Sequence, residues 1–324
     1  MVPELALVER FQSDLDALIA RGERIGVAVS GGPDSLALLL LAAAARPGDV
    51  EAATVDHGLR DEAVSEAEMV GQICRHLGVP HAILTVDWPE KPVTAIQERA
   101  RAARYLLLGE WLADRELAAV ATAHHVDDQA ETLVMRLNRG SGVRGLAGMR
   151  PIARVPGTDL PLLRPLLAWR RIELEAICAA AGLTPALDPS NTDERFERVR
   201  VREALGESGW LDASAAGRSA NNLASADEAL DWAAGREWHE AVRQGDGQIS
   251  YSPSPTVPLE ILRRVVERAL MALASEGLDE PLRGRELDGI VETLGAGRTA
   301  TMKGVVCAGG PQWRFSKAPP RKSS

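Results

Sequence analysis

Short apolar runs alternate with longer stretches of mixed polarity through the first half of the chain. Ile25–Val29, Val50–Val55, His81–Val86 and Ala118–Thr122 are brief and apolar, as buried strands are. Leu36–Ala45, Asp61–Leu77, Ala95–Ala113 and Asp128–Asn138 are longer and read as helices. This alternation, sustained to about Asp159, predicts a parallel, doubly wound α/β sheet with right-handed crossovers. Ligands in such sheets sit beyond the carboxyl ends of the strands. The residues with chemistry to offer cluster there. They are the turn after Val29, Asp56-His57 after Val55, and His124-His125 after the strand ending near Thr122.

Beyond Pro151 the pattern changes. A linking region rich in Pro and Arg runs to about Leu205, followed by a long Ala-rich helix over Ala213–Val242 that carries Trp232 and Trp238. Gln248–Ser252 reads as a short strand, Leu259–Ala274 and Leu282–Leu294 as helices, and Thr299–Val306 and Gln312–Ser316 as strands. The expected organisation is a catalytic domain over 1–205, link included, and a smaller, mostly helical α+β domain over 206–324. The tryptophans read as core rather than as platforms for stacked bases.

The 324 residues, 45% of them hydrophobic, suffice for one large core and one smaller one. No run approaches eighteen apolar residues, so no membrane span is expected. Met1-Val2-Pro3-Glu4 lacks the basic start of a signal peptide, and Cys74, Cys178 and Cys307 form no Cys-x-x-Cys pair. Both fit a reducing cytoplasm, and the cysteines offer no metal site. A net charge of −9 weighs against nucleic acid. Yet Thr293–Ser324 contains no Asp or Glu while carrying Arg298, Lys303, Arg314, Lys317, Arg321 and Lys322. Such a stretch can grip a phosphate backbone, although by charge alone a solvated tail fits equally well.

The run Ser30-Gly31-Gly32-Pro33-Asp34-Ser35 lies between a strand and the apolar helix that starts at Leu36. A glycine-rich turn there aims backbone N–H groups at one point, and the helix terminus adds partial positive charge, which suits a phosphate. Ser30 and Ser35 bring hydroxyl donors, and Asp34 is a candidate ligand for the Mg²⁺ that accompanies nucleotide phosphates. Walker and Gly-x-Gly-x-x-Gly spacings are absent. The second concentration of polar groups is Thr122–Thr132. On a helix from about Asp127, Asp128 and Glu131 share a face and form a pocket for a cation, either an ammonium group or Mg²⁺. His124 can contact phosphate or orient a carboxylate. Helix capping by Asp127, a capping box closed by Glu131, buried structural histidines, or a divalent metal site among the paired His and Asp remain open readings.

Ser-Gly-Gly-x-Asp-Ser resembles the pyrophosphate loop of the N-type ATP pyrophosphatases. The series continues with Val55-Asp56-His57-Gly58-Leu59-Arg60, Ala123–Thr132, Gly145-Leu146-Ala147-Gly148-Met149, Arg164-Pro165-Leu166-Leu167 and Asp188-Pro189-Ser190-Asn191. In order and spacing this resembles the tRNA(Ile)-lysidine synthetase family, over roughly residues 20 to 205. The resemblance implies an adenine nucleotide alpha hydrolase-like fold and an AMP-forming carbon–nitrogen ligase. Such an enzyme joins L-lysine to C2 of the wobble cytidine of the tRNA(Ile) with a CAU anticodon, through an adenylated tRNA intermediate.

It also implies ATP and Mg²⁺ at Ser30, Gly31, Gly32, Pro33, Asp34 and Ser35, with Asp56, His57 and His124 on the nucleotide and Asp34 on the metal. Lysine falls to Asp128 and Glu131, and the Arg101-x-x-Arg104-Tyr105 segment supplies a catalytic arginine, Arg104. Arg198 and Arg202, four apart, suit tRNA phosphates, as do Arg314 and Lys317. The family often has Asn where Val199 stands, and by length this chain is not expected to carry the extra acceptor-stem domain of longer members. Members tend to form homodimers. The alternatives are another tRNA-modifying enzyme with the same loop, such as a thiolase, and a non-catalytic nucleotide-binding regulator.

Overall fold

The computed structural model describes residues 1–59, 62–88, 94–186, 197–209, 211–274 and 284–319. Two compact units emerge, Met1–Arg139 with Ala147–Asn221 and Gly140–Leu146 with Asn222–Ser324. The first contains α1 (Leu5–Asp16), β1 (Ile25–Ala28), α2 (Pro33–Ala45), β2 (Val50–Asp56), α3 (Glu62–Leu77), β3 (His81–Thr85), α4 (Ile96–Asp114), β4 (Ala119–Ala121) and α5 (Val126–Asn138). After the short α6 (Val143–Leu146), it continues with β5 (Ile152–Arg154), β6 (Pro161–Leu163), α7 (Arg171–Ala180) and α8 (Glu197–Ser208).

Its sheet has the order β3-β2-β1-β4-β6-β5, parallel throughout except for β5. The chain leaves β1 toward β2 on one side and later returns to β4 on the other. The strand order therefore reverses between β1 and β4, where a crevice opens at the carboxyl ends. Both faces are covered. Phe11 and Leu15 of α1, the leucines of α2, Val70 and Ile73 of α3, and Leu174 and Ile177 of α7 form one core. Tyr105, Leu108, Trp111 and Leu112 of α4 close a second core with Ala53, Val120 and Leu162. Ser35 to Ala42 are buried without interruption, so α2 has no polar face and is a core helix. It starts at Pro33, earlier than the apolar run, because a proline at the first helical position forfeits no hydrogen bond.

Several elements depart from expectation. The region taken as a link contributes β6 to the main sheet, with Val120 opposite Leu162 and Ala121 opposite Leu163. The helix α9 (Ala213–Ala241) bears on where the first unit ends. The border falls after Asn221 rather than at 205 because the first turns of α9 pack on the first unit. Ala216 and Ala220 are buried, and Gly217 lies so close to Val126 that a Cβ would stand 2.5 Å from its Cγ2.

The second unit adds β7 (Val242–Gly245), β8 (Gln248–Tyr251), α10 (Leu259–Leu273), α11 (Gly284–Gly295), β9 (Thr299–Met302), β10 (Val305–Ala308) and β11 (Trp313–Lys317). Its antiparallel sheet runs β7-β8-β11-β10-β9. Val242 pairs as a strand residue instead of ending the helix. The expected strand Thr299–Val306 is a hairpin folded at Lys303 and Gly304, both at positive φ, as a two-residue turn of the primed type requires. Trp111, Trp169, Trp238 and Trp313 are buried, while Trp232 is 66% exposed. Among the described residues, no helix is long and apolar enough to cross a membrane.

Candidate functional site

The turn after β1 is held by its own hydroxyls. Ser35 Oγ accepts from the Ser30 backbone N–H at 3.1 Å, donates to the Gly32 carbonyl at 3.0 Å and lies 3.2 Å from Ser30 Oγ. Ser35 is buried, and its hydroxyl is engaged within the turn. Gly31 sits at φ +88°, where a side chain is strained, and its carbonyl accepts from the Ala186 N–H at 3.0 Å. Gly32 caps α2 without any side-chain hydrogen bond to the first turn. The first-turn amides of Asp34 and Ser35 have no acceptor within the helix, as at any helix start. From α7, the Cys178 thiol donates to the Pro33 carbonyl at 3.1 Å.

The loop after β4 meets that turn at the switch point. His125, 1% exposed, places Nε2 3.5 Å from both Asp34 Oδ2 and Asp128 Oδ2, and Nδ1 3.6 Å from Asp127 Oδ2. Burial opposes charge on this ring, and the carboxylates of Asp127, Asp34 and Asp128 outweigh it, so its pKa is pushed up to about 9. His125 is therefore an imidazolium at neutral pH. Its neighbour His124 goes the other way. Desolvation drives its pKa well below the usual histidine range, and Arg164, Arg101 and Arg198 push in the same direction against Asp128. Thr122 Oγ1 holds the His124 Nδ1 at 3.0 Å.

The acidic residues of α5 have separate partners. Asp128 accepts from the His125 backbone N–H at 3.1 Å and closes the first turn of the helix. Asp127 accepts from the Arg171 N–H at 2.8 Å and from Arg170 Nη2 at 3.1 Å, which pins the start of α7. Its carboxyl is held below the usual range, burial notwithstanding, by His125, the Arg171 amide and Arg170. Glu131 is buried, with Arg202 Nε at 2.7 Å and Arg198 Nε at 3.1 Å. Arg198 also donates to Thr132 Oγ1 at 3.1 Å. Glu131 is buried against two arginines, and the guanidinium groups of Arg198 and Arg202 both lie on it. A buried carboxylate needs counter-charge, and α8 supplies it.

Asp56 ends β2, is buried, and accepts from the Gly58 N–H at 2.8 Å. The His57 carbonyl accepts from Trp88 Nε1 at 2.7 Å, and Arg104 Nη2 reaches His57 Nε2 at 3.4 Å. Asp56, His57 and Arg104 therefore meet beside the crevice. Arg164 lies directly after β6 at the same edge; it belongs to a quoted motif, yet sequence reasoning gave it no role. Arg314 and Lys317 are exposed on β11 of the second unit. Arg60, the Asp188-Pro189-Ser190-Asn191 motif, Arg321 and Lys322 lie outside the described residues. One oxygen of Asp34, Oδ1, is buried with no hydrogen-bond partner. Among the described residues, no group of three or more His, Cys, Asp or Glu side chains is placed to hold a metal by itself.

A glycine turn at the switch point of a doubly wound sheet, its helix terminus open to an anion, defines a PP-loop protein, and the PP-loop domain family matches residues 7–208. A U34-tRNA thiolase, NcsA, from Methanococcus maripaludis shares the fold with a TM-score of 0.56 at 15% identity, over 67% of this chain and 80% of that one. The tRNA(Ile)-lysidine synthase of Novosphingobium aromaticivorans is 48% identical over 97% of this chain and 94% of its own length. That of Zymomonas mobilis is 40% identical over 100% and 97%. The chain belongs to the tRNA(Ile)-lysidine synthase family.

Proposed function

We propose that the protein is an ATP-dependent, tRNA-modifying ligase that joins L-lysine to C2 of the wobble cytidine of the tRNA(Ile) with a CAU anticodon. The observation that carries this reading is the convergence at His125, which brings the phosphate turn and the acidic helix within one side chain of each other. In the first step the cytidine C2 oxygen attacks the α-phosphorus of ATP and pyrophosphate leaves. In the second the lysine ε-amine attacks C2 and AMP departs with the oxygen. Adenylation makes a good leaving group of an oxygen that is otherwise a poor one, and the result alters which codon the tRNA reads.

The residues divide the work. The first-turn amides of α2 receive the β- and γ-phosphates. Asp56 and His57 border the nucleotide, and Arg104 offsets phosphate charge. Asp34 and Asp128 outnumber the one imidazolium between them, because Asp127 is matched by Arg170. That surplus negative charge suits the lysine ammonium, with Asp128 its closest carboxylate and Glu131 holding α8 in place. The amine must shed its proton before attack, to a carboxylate or a phosphate. The unpartnered Asp34 oxygen would hold a Mg²⁺ ion, whose charge would there oppose that of the leaving pyrophosphate. Exposed Arg314 and Lys317 are assigned to the tRNA backbone.

The test combines folded protein, tRNA(Ile) transcript, ATP and radiolabelled lysine. Label is expected in the RNA, dependent on ATP and on cytidine at the wobble position; its absence overturns the reading. A thiolase is disfavoured because all three cysteines are buried singly, with thiols pushed up by burial to about 12 at Cys74 and about 11 at Cys178 and Cys307. ATP–pyrophosphate exchange that requires tRNA excludes a non-catalytic regulator.

A further inference from the structure

Three arginines in the described residues are buried: Arg46, Arg164 and Arg264. Two have carboxylates. Arg46 meets Asp16 at 2.7 Å, and Arg264 meets Asp227 at 2.7 Å and Asp231 at 2.6 Å. Arg164, 7% exposed, has none among the described residues. Its Nη1 donates to the Arg150 carbonyl at 2.7 Å, and its Nε is buried with no hydrogen-bond partner. A guanidinium cannot escape by losing its proton, so burial without counter-charge is strongly unfavourable. Among the described residues this occurs immediately after β6, where Thr122 beside the neighbouring strand donates its N–H to the Leu163 carbonyl at 2.9 Å and holds His124. Two further arginines, Arg101 and Arg104, stand near this edge. Arg101 lies 5.0 Å over the Tyr105 ring, and Arg104 faces His57.

We propose that Arg164 is an anion-binding residue of the site and takes a phosphate oxyanion of the substrates. This rests on the function proposed above. The guanidinium fork matches two phosphate oxygens at once. The strand order β1-β4-β6 puts Arg164 two strands from the phosphate turn, about 10 Å away at the usual strand spacing. An anion seated on α2 is therefore at the limit of its reach, and a second phosphate nearer β6 is the group that Arg164 serves. That group is either the α-phosphate of the nucleotide or the phosphodiester beside the target base. Both present the same oxyanion.

Binding measurements on the full-length protein distinguish the two sources. With Arg164→Met, adenosine affinity stays constant in either case. If the nucleotide supplies the phosphate, the preference of the wild type for AMP over adenosine falls about tenfold, and Arg164→Lys recovers part of it. If the RNA supplies it, the AMP preference is unchanged and the salt slope of tRNA(Ile) transcript binding drops by about one contact. Unchanged values in both assays, or equal loss of AMP and adenosine binding, overturn the proposal. Should the Met variant not fold, the wild type decides by NMR. The Arg164 Nε–H resonance, identified by its absence in Arg164→Lys, shifts on adding AMP or the transcript but not adenosine; no shift overturns the assignment. These readouts do not involve lysine transfer, so an inactive wild type would refute the proposed reaction and leave this test intact.

Discussion

Raising the pH removes the proton from a buried imidazolium that faces three carboxylates, and the first unit loses stability as a result. The ordinary histidine value is 6.5, and His125 is pushed up to about 9. At about 1.4 kcal/mol per pH unit, that difference amounts to roughly 3 kcal/mol. The contacts, at 3.5 to 3.6 Å, are looser than hydrogen bonds, so this figure is a ceiling. The folded protein holds the proton more tightly than the unfolded chain does. The contribution is therefore complete below about pH 6.5 and disappears as pH rises through about 9. His124 has the opposite sign. Its folded form resists protonation, so stability is lost as pH falls below the ordinary 6.5. Two adjacent histidines thus place the stability maximum near pH 6.5.

The variant that isolates the effect is His125→Asn. His125 occupies the N-cap of α5, and asparagine caps a helix well, so the substitution removes the charge while keeping the cap. Urea unfolding at a series of pH values is expected to show the wild type losing roughly 2 to 3 kcal/mol between pH 6.5 and 9.5, with the variant nearly flat over the same range. Histidine-selective ¹⁵N NMR reads the titration directly, with a His125 midpoint near 9. A midpoint at the ordinary value, or parallel stability curves for the two proteins, would falsify the electrostatic account of the site.

Three further substitutions test the remaining assignments. Asp34→Asn should lower tRNA-dependent pyrophosphate release about a hundredfold or more and also bring the His125 titration midpoint down, since Asp34 is one of the carboxylates that hold its proton; undiminished release removes its role. Glu131→Gln leaves Arg202 and Arg198 without their shared carboxylate and should destabilise the first unit by about 2 to 3 kcal/mol, the lower range for a broken buried pair because Arg198 is partly exposed. Proteolysis within α8 should accelerate in that variant, and an unchanged cleavage rate refutes the tether. Replacing both Arg314 and Lys317 by Gln should reduce the salt slope of tRNA binding by about two contacts. Truncation before β11 does not substitute for this pair, because β11 lies inside the second sheet between β8 and β10.

Local chemistry made part of this molecule readable in advance. A glycine turn between two apolar runs needs no distant partner to be recognised, and α2 follows from its leucines alone. The strands β5 and β6 were not readable, because three residues carry no periodicity and their membership is fixed by pairing across the sheet. The amphipathic α1 has no side-chain N-cap to announce it, and the turn at Lys303 is masked because the alternation persists on both sides.

The acidic run on α5 shows most clearly where such reading ends. Asp127, Asp128 and Glu131 look interchangeable in sequence: three carboxylates on one helix start. Their partners separate them. Asp127 is drawn to Arg170 and Arg171, Asp128 stays with the amide of His125, and Glu131 is claimed by Arg202, 71 residues away. Each arginine is one of many in a chain where arginine is abundant, and nothing in its neighbours marks it for a given acid. Topology makes the selection, by bringing α7 and α8 against particular turns of α5. The carboxylate left with the lightest pairing, Asp128, is then the one with electrostatic capacity for a cationic substrate. That assignment emerges by subtracting the long-range partners, which only the folded chain reveals.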